Sequence, residues 1–265
     1  MAATYATSGD DGYKYSYPAF TNHGNHMTKL AAFFDDIAKE LGLESIRSCV
    51  GVGTGPGVID TAFAARCMPA LRSFVAIEKY RSNVDDLRLN LAARLPNVAS
   101  SIRDVSIKSW EGMPASGERF DVVTMIHVLY YLTASERVEL YRRCFEDWLG
   151  PNGCAIIMHV ARSSRQIMFE EICRRMGIGY HFPTAEEIKE ELIWWGYEIE
   201  QEHEYAFQRN LSDLDEPQLP WFNYLHNDED HPVELEKIRD MMSEVISNEN
   251  SVLFGRLMKV RREKC

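Results

Sequence analysis

Apolar residues along the chain occur in two alternating patterns, short continuous runs and longer stretches at helical spacing. The short runs are typical of buried strands and lie at 48–52, 73–77, 120–126 and 155–160. The helical stretches follow them, at 58–65, 83–93, 134–148 and 165–175. This alternation predicts an α/β fold with a parallel sheet covered by helices on both faces.

Two further helices are predicted nearer the ends of the chain. Residues 27–43 carry apolar side chains at helical spacing, and Gly42 marks the end of that helix. Residues 184–195 predict another helix, in which Thr184 and Glu187 have the spacing of a capping box. Trp194 and Trp195 adjoin its end, where we expect them to pack against neighbouring residues.

Two late strands, at 197–207 and 251–260, are separated by about forty residues, which is long for a loop in one domain. Within this gap, residues 232–247 have a helical pattern. We expect residues 208–250 to be an insertion that forms part of a cap over the ligand site. Residues 13–45 are expected to form an N-terminal aromatic lid and a helix, although the aromatic side chains there could instead pack on the helix. The whole chain, 1–265, is expected to be a single domain, because no linker divides it.

The charge of the chain narrows the choice of partners. Its 265 residues have a net charge of −11 and a pI near 5.3, so the surface repels phosphate backbones and anionic lipids. None of the six cysteines forms a C-x-x-C pair, and no apolar run is long enough to cross a membrane. We expect a cytoplasmic monomer that acts on a small molecule, without a metal, nucleic acid or membrane.

The strongest chemical signal is the stretch GVGTGPG at 51–57, which follows a strand and opens a helix. Its glycines let the chain turn sharply and let a ligand approach backbone N–H groups. Glu78 ends the next strand, where a carboxylate can accept hydrogen bonds from two ribose hydroxyls. The two features together predict a nucleoside-containing cofactor.

Two classes of cofactor use this arrangement, nicotinamide dinucleotides and S-adenosylmethionine. Dinucleotide sites have the spacing G-x-G-x-x-G, which directs a helix dipole at a pyrophosphate. Here the glycines alternate strictly and Pro56 stands where the helix should begin. This spacing favours S-adenosylmethionine, which has no phosphate. Asp104 and Ser106 are alternative partners for its adenine amine.

The order of these features is that of a Rossmann-like class I methyltransferase, with a seven-stranded, mostly parallel sheet and an antiparallel last strand. The residues expected to contact the cofactor are Gly51, Gly53, Thr54, Gly55, Glu78, Lys79, Asp104, Val105, Ser106, Ile126 and His127. S-adenosylhomocysteine would be the product.

One segment resembles a particular family. The stretch MIHVLYYL at 125–132 is similar to the M-I-Q-x-L-Y-Y segment of histamine N-methyltransferases. The resemblance extends to GPGVID at 55–60, TAEEI at 184–188, NSVLF at 250–254 and FTNH at 20–23. It implies an aromatic substrate pocket that includes Tyr130 and Tyr131, with Asn250 as a polar contact. The family's glutamine is replaced by His127, and its N-terminal glutamate falls near Asn25.

These departures indicate a small imidazole, amine or amino-acid derivative other than histamine. The expected substrate-binding residues are Tyr17, Phe20, Asn25, His127, Tyr130, Tyr131, Tyr180, Phe182, Trp221, Phe222 and Asn250. His127 is the candidate catalytic base, because histidine titrates near neutral pH, or else only a hydrogen-bond partner of the substrate. Alternative functions are O-methylation of a small acid or phenol, and a catalytically silent protein of the same fold.

Overall fold

The computed structural model describes residues 25–104, 114, 117–162, 170–171, 174–175, 183–208 and 252–262. The chain divides into two compact units. The larger unit comprises residues 30–161, 183–205 and 255–265, and the smaller comprises 1–29, 162–182 and 206–254. Predicted helices at 165–175 and 232–247, and the predicted lid and insertion, lie wholly or largely outside the described residues.

Seven strands form one sheet. They are β1 (Ser48–Val52), β2 (Ser73–Glu78), β3 (Ala99–Asp104), β4 (Phe120–Ile126), β5 (Leu149–Val160), β6 (Tyr197–Gln208) and β7 (Val252–Arg262), in the order β3-β2-β1-β4-β5-β7-β6. Strands β1 to β5 pair in parallel, and β7 runs antiparallel to β5. The predicted fold class is therefore confirmed, including the antiparallel last strand.

The described helices begin at or close to the predicted positions. They are α1 (His26–Ile37), α2 (Val58–Cys67), α3 (Arg81–Arg94), α4 (Ala134–Arg142) and α5 (Ala185–Trp194). A 3-10 turn covers Leu129–Tyr131, and a π-helical segment covers Arg143–Trp148. The capping box predicted between Thr184 and Glu187 is present, and Thr133 and Glu136 form a second one.

Alternate residues of the strands face opposite sides of the sheet, and both sides are covered. Val50, Val75 and Val123 belong to a core that also contains Leu140, Trp148, Ile188 and Leu192 of α4, the π segment and α5. On the other face, the hydrogen bond from Thr124 of β4 to Asp60 places α2 against the sheet. Phe34 of α1 packs edge-on against Phe63 of α2, so α1 and α2 share this face.

Four local predictions need correction. The first helix was predicted to reach residue 43 but ends at Ile37. Turns follow it, and in one of them the Gly42 N–H donates to the Lys39 carbonyl. Residues 143–148 continue the predicted helix in π rather than α geometry. Residues 149–153, whose Gly-Pro-Asn-Gly stretch predicts a turn, instead form a bulge within β5, between the Phe120–Leu149 and Val122–Cys154 pairs. No described helix is long and apolar enough to cross a membrane.

The fourth correction concerns the tryptophans at the end of α5. Trp194 and Trp195 do not pack as predicted, since they are 84% and 52% exposed. The apolar face of α5 is complete with Ala185, Ile188 and Leu192, all of which are buried. Trp194 is two residues after Leu192 and therefore lies on the opposite side of the helix, whereas Trp195 is the C-cap, past the last residue of α5.

Candidate functional site

The order of the strands places a crevice between β1 and β4. From β1 the sheet grows through β2 to β3, and from β4 it grows through β5 in the opposite direction. Ligands of open parallel sheets bind outside the carboxyl ends of the strands at such a reversal of order. The glycine loop follows β1, Glu78 ends β2 and His127 follows β4, so all three lie at the same edge of the sheet.

The glycine loop has a backbone that only glycine adopts readily. Gly53, Gly55 and Gly57 have φ angles of 63°, 55° and 75°, in the left-handed region. At Gly51 a Cβ atom would lie 2.6 Å from Cγ2 of Thr54, so the missing side chain makes room for the threonine. Thr54 is buried, and its Oγ1 has no hydrogen-bond partner among the described residues. A buried hydroxyl of this kind is suited to meet a bound ligand.

Glu78 joins the loop to the second strand. Its Oε2 accepts a hydrogen bond from the Gly55 N–H at 2.8 Å, and its Oε1 accepts from the Tyr80 N–H at 2.8 Å and from Asn83 Nδ2 at 3.2 Å. Burial raises the pKa of the carboxyl, and these hydrogen bonds oppose that rise. A carboxylate has about four acceptor positions, so three internal donors leave one for a hydroxyl of a ligand.

A second buried carboxyl lies under the loop and was not predicted as a site residue. Asp60, in the first turn of α2, accepts a hydrogen bond from Thr124 Oγ1 at 3.2 Å. Burial raises its pKa to about 8, and the nearby charge of Glu78 acts in the same direction. A buried titratable group beside a ligand crevice is a feature of functional sites. The sequence offered one signal, an acidic residue directly after the two apolar residues that begin the helix.

His127 occupies the end of β4 in an unusual conformation. Its φ of 52° is the one positive φ among the described residues other than glycine, and its N–H donates to the Met158 carbonyl at 2.9 Å. Such a backbone costs about 1–2 kcal/mol in a residue with a side chain. Its Nε2 lies 3.4 Å from the hydroxyl of Tyr205, on β6. The surrounding sheet therefore holds a strained residue at the mouth of the crevice.

Two tyrosine side chains, Tyr130 and Tyr131, follow His127 closely in the sequence. Tyr130 and Tyr131 are half-buried in the 3-10 turn, with ring centroids 4.4 Å apart in an edge-on arrangement. Tyr130 also meets His159 of β5 edge-on at 5.4 Å. Burial lowers the pKa of His159 to about 3, with a smaller contribution from His127, so His159 is neutral at physiological pH. Neither His159 nor Tyr205 was predicted as a site residue.

The remaining predicted residues have varied positions. Ile126 is buried at the end of β4, and Lys79 is exposed, with Nζ 4.3 Å from the Tyr80 ring centroid. Asp104 ends β3, where its backbone is in register with Glu78 of β2. The predicted residues outside the described part of the chain are Tyr17, Phe20, Val105, Ser106, Tyr180, Phe182, Trp221, Phe222 and Asn250.

Asn25 belongs to the smaller unit, and its polar groups contact strand β6. Its N–H donates to the Gln208 carbonyl at 3.1 Å, and its Oδ1 accepts from the Gln208 N–H at 2.8 Å. The second bond engages the side-chain oxygen of the residue that the sequence suggested for the substrate. Within the described residues, no group of three or more His, Cys, Asp or Glu side chains could hold a metal ion.

Comparison with solved structures identifies the fold. The sequence matches no protein-family model and no curated protein. A Bacillus halodurans protein assigned as a candidate methyltransferase superposes with a TM-score of 0.59 at 18% identity, over 88% of this chain and 100% of that one.

Two enzymes with different products superpose similarly. The magnesium protoporphyrin IX methyltransferase of Synechocystis, with bound S-adenosylhomocysteine, has a TM-score of 0.55 at 10% identity, over 90% of this chain and 84% of that one. The cyclopropane synthase of Mycobacterium tuberculosis has a TM-score of 0.55 at 13% identity, over 87% and 83%. The sheet order and these superpositions show that the chain has the Rossmann-like fold of S-adenosylmethionine-dependent methyltransferases.

Proposed function

We propose that this protein is a methyltransferase that uses S-adenosylmethionine to methylate a nitrogen atom of a small molecule. The observation that carries the proposal is the joining of Glu78 to the glycine loop at the crevice where the strand order reverses. The buried Thr54 hydroxyl and the remaining acceptor position of Glu78 fit a ligand that brings both hydroxyl and amine groups. When bound, this cofactor supplies a methyl group activated by a sulfonium.

The residues of the chain would hold the cofactor and orient the substrate. Glu78 and the backbone of Gly53 and Gly55 would hold the ribose and the amino-acid tail of the cofactor. His127, Tyr130 and Tyr131 would orient the substrate and exclude water, since methyl transfer depends mainly on alignment of the nucleophile. Aromatic faces and edges suit a flat ring or a cationic amine.

We propose further that the atom that accepts the methyl group is a nitrogen. This is supported by the likeness of residues 125–132 to histamine N-methyltransferases and by the tyrosine pair beside His127. We also propose that the protein works as a cytoplasmic monomer without a metal, nucleic acid or membrane, and that residues 13–45 and 208–250 cover the substrate within a single domain.

Cofactor binding is tested by calorimetry with S-adenosylhomocysteine. Glu78→Ala should raise the dissociation constant at least about tenfold, because a hydrogen bond to a charged group contributes about 1.5–3 kcal/mol. The matched control is Asp85→Asn, which removes a carboxylate that is 81% exposed on the neighbouring helix α3, and should leave the constant unchanged. Equal affinity of Glu78→Ala and wild type would refute the assignment of this carboxylate.

The acceptor atom requires a separate assay. The protein is incubated with methyl-labelled cofactor and a panel of imidazoles, amines, amino acids and phenols, and products are identified by mass. Methylation of an imidazole, an amine or an amino acid at nitrogen supports the proposal. Methylation of phenols or acids alone would replace it with O-methylation, and cofactor binding without any product would indicate a silent protein.

A further inference from the structure

Tyr205 is buried against His127 and has a polar group at the point where the two side chains meet. It is 6% exposed, and its hydroxyl lies 3.4 Å from Nε2 of His127. The two residues are 78 positions apart in the sequence, so the contact depends on the assembly of the sheet. Hydrogen bonds of catalytic groups are often this long before the substrate is bound.

The position of the Tyr205 ring is built into strand β7. A Cβ atom on Gly255 would lie 2.3, 2.4 and 2.5 Å from Cε1, Cζ and the hydroxyl oxygen of Tyr205. Any side chain at position 255 would therefore displace the ring, whereas glycine leaves room for it. Phe33 of α1 meets the ring with centroids 4.9 Å apart. Tyr205 is thus confined by the backbone of Gly255 and by the ring of Phe33.

The backbone of His127 is fixed independently of Tyr205. Its N–H bonds the Met158 carbonyl, and its φ of 52° directs the chain into the 3-10 turn. These backbone contacts do not determine how the imidazole is oriented or which of its nitrogens carries the proton. In proteins the protonated nitrogen of a neutral histidine is determined by the hydrogen bond that the other nitrogen makes.

We infer that Tyr205 is a positioning residue that donates its hydroxyl proton to Nε2 of His127 and so holds the proton of the neutral imidazole on Nδ1. A phenol is a stronger acid than a neutral imidazole N–H, so the phenol is the better donor of the pair. His159, on the adjacent strand β5, is neutral and adds no positive charge that would reverse this preference.

The tautomer of His127 has a consequence for the substrate, which rests on the proposed function. With Nε2 engaged by Tyr205, His127 meets the substrate as a hydrogen-bond donor rather than as the base that removes its proton. The reacting nitrogen must then carry a lone pair already, as an aromatic ring nitrogen does at neutral pH. The favoured substrates are therefore flat nitrogen heterocycles with an acceptor atom for His127, and not alkylammonium compounds.

The test follows the His127 imidazole by 15N NMR of the full chain, with the signal assigned by its loss in His127→Gln. At a pH where the imidazole is neutral, wild type should show the proton on Nδ1. Tyr205→Phe keeps the ring but removes the hydroxyl and should shift the population towards the Nε2-protonated form that free histidine favours. Gly255→Ala keeps the hydroxyl but displaces it, and should cause the same shift.

The matched control is Tyr141→Phe, which removes another buried tyrosine hydroxyl, one that bonds Glu191 at 3.3 Å. It should lower stability without changing the His127 signal. An Nε2-bound proton in wild type, or an unchanged tautomer in Tyr205→Phe, would overturn the inference. Because no cofactor or substrate is present, this result does not depend on whether the protein is a methyltransferase.

If the panel assay yields a substrate, Tyr205→Phe should raise its KM about fivefold, the effect of one neutral hydrogen bond, with a smaller change in kcat. A loss confined to kcat would instead indicate proton transfer through His127. That outcome would contradict the donor role even if the methyltransferase activity itself is present.

Discussion

Two buried titratable side chains, Asp60 and His159, respond to pH in opposite directions. The carboxyl of Asp60 has a pKa of about 8 in the folded chain against a reference of 3.8, so unfolding releases its proton in the range between. His159 has a pKa of about 3 against 6.5, so unfolding takes up a proton between those values. The free energy of unfolding therefore rises with pH through His159 and falls with pH through Asp60.

Only the effect of Asp60 persists between pH 6.5 and pH 8, because His159 is neutral in both states above 6.5. The wild-type free energy of unfolding should fall by up to about 1 kcal/mol per pH unit in that range. Asp60→Asn keeps an acceptor for Thr124 and should remove most of this slope in urea titrations at a series of pH values. A slope identical to that of wild type would show that Asp60 is already ionised in the folded chain.

The side chains of the candidate site differ in how far the sequence could predict them. Glu78 and His127 were identified because they follow strands that are visible as apolar runs. Tyr205 and His159 were not, because they reach the site through the pairing of β5, β7 and β6. No local pattern encodes that β7 lies between the other two strands. Asp60 was missed because its burial depends on the contact of α2 with Thr124.

A glycine at the end of a helix can be required by backbone conformation or by close packing. Gly57 and Gly42 differ in which of the two applies. Gly57 precedes α2 with a φ of 75°, and a Cβ there would lie 2.4 Å from Cδ1 of Leu87. Gly42 follows the turns after α1 with a φ of 62°, and a Cβ there would meet nothing within 4 Å. Both glycines avoid the strain of the left-handed region, but only Gly57 also makes room for a neighbour.

Alanine substitutions at these glycines should differ in cost. Gly42→Ala should lower the free energy of unfolding by about 1–2 kcal/mol, from backbone strain alone. Gly57→Ala should lower it by about 1–3 kcal/mol more, because Leu87 must shift in a packed core. Urea denaturation of the two variants measures the difference. Equal losses would mean that Leu87 rearranges freely and that packing does not determine the glycine at position 57.

The pattern of apolar residues predicted which elements exist better than how they end. Six of the seven strands and the capping box at Thr184 followed from runs, spacing and hydroxyl residues, whereas β3, with the sequence ASSIRD, has no apolar run that marks it. The π geometry of residues 143–148 could not be predicted, because the spacing of apolar residues in a π-helix differs from that in an α-helix by only about one residue. The bulge in β5 also escaped prediction, since a Gly-Pro-Asn-Gly stretch is equally typical of a turn.

Across the larger unit, a buried ion pair links helices that are distant in sequence. Arg137 of α4, with a side chain 5% exposed, donates from Nε to Glu191 of α5 at 2.9 Å and from Nη1 to the Leu132 carbonyl at 2.7 Å. Tyr141 adds its hydroxyl to the same carboxylate. These contacts tie α4 to α5 on the face of the sheet that carries the main core.

Breaking this pair should be costly, because it leaves the half-buried Glu191 carboxylate without its charged partner. Arg137→Ala should lower the free energy of unfolding by about 3 kcal/mol or more. Arg143→Ala is the control, because Arg143 bonds Glu139 at 2.9 Å with both side chains about one-third exposed, and should cost no more than about 1 kcal/mol. Comparable losses in denaturant titrations would show that water screens the Arg137 pair as well.

Strand β7 is the last strand along the chain, yet it lies in the interior of the sheet between β5 and β6. Among the described strands β6 adjoins β7 alone, so during synthesis it lacks this neighbour until residues 252–262 have left the ribosome. The Tyr205 hydroxyl and the space at Gly255 that receives its ring come together only at that stage. Nascent chains that stop before residue 252 should therefore expose β6 to chaperones and proteases, while β1 to β5 can already pair.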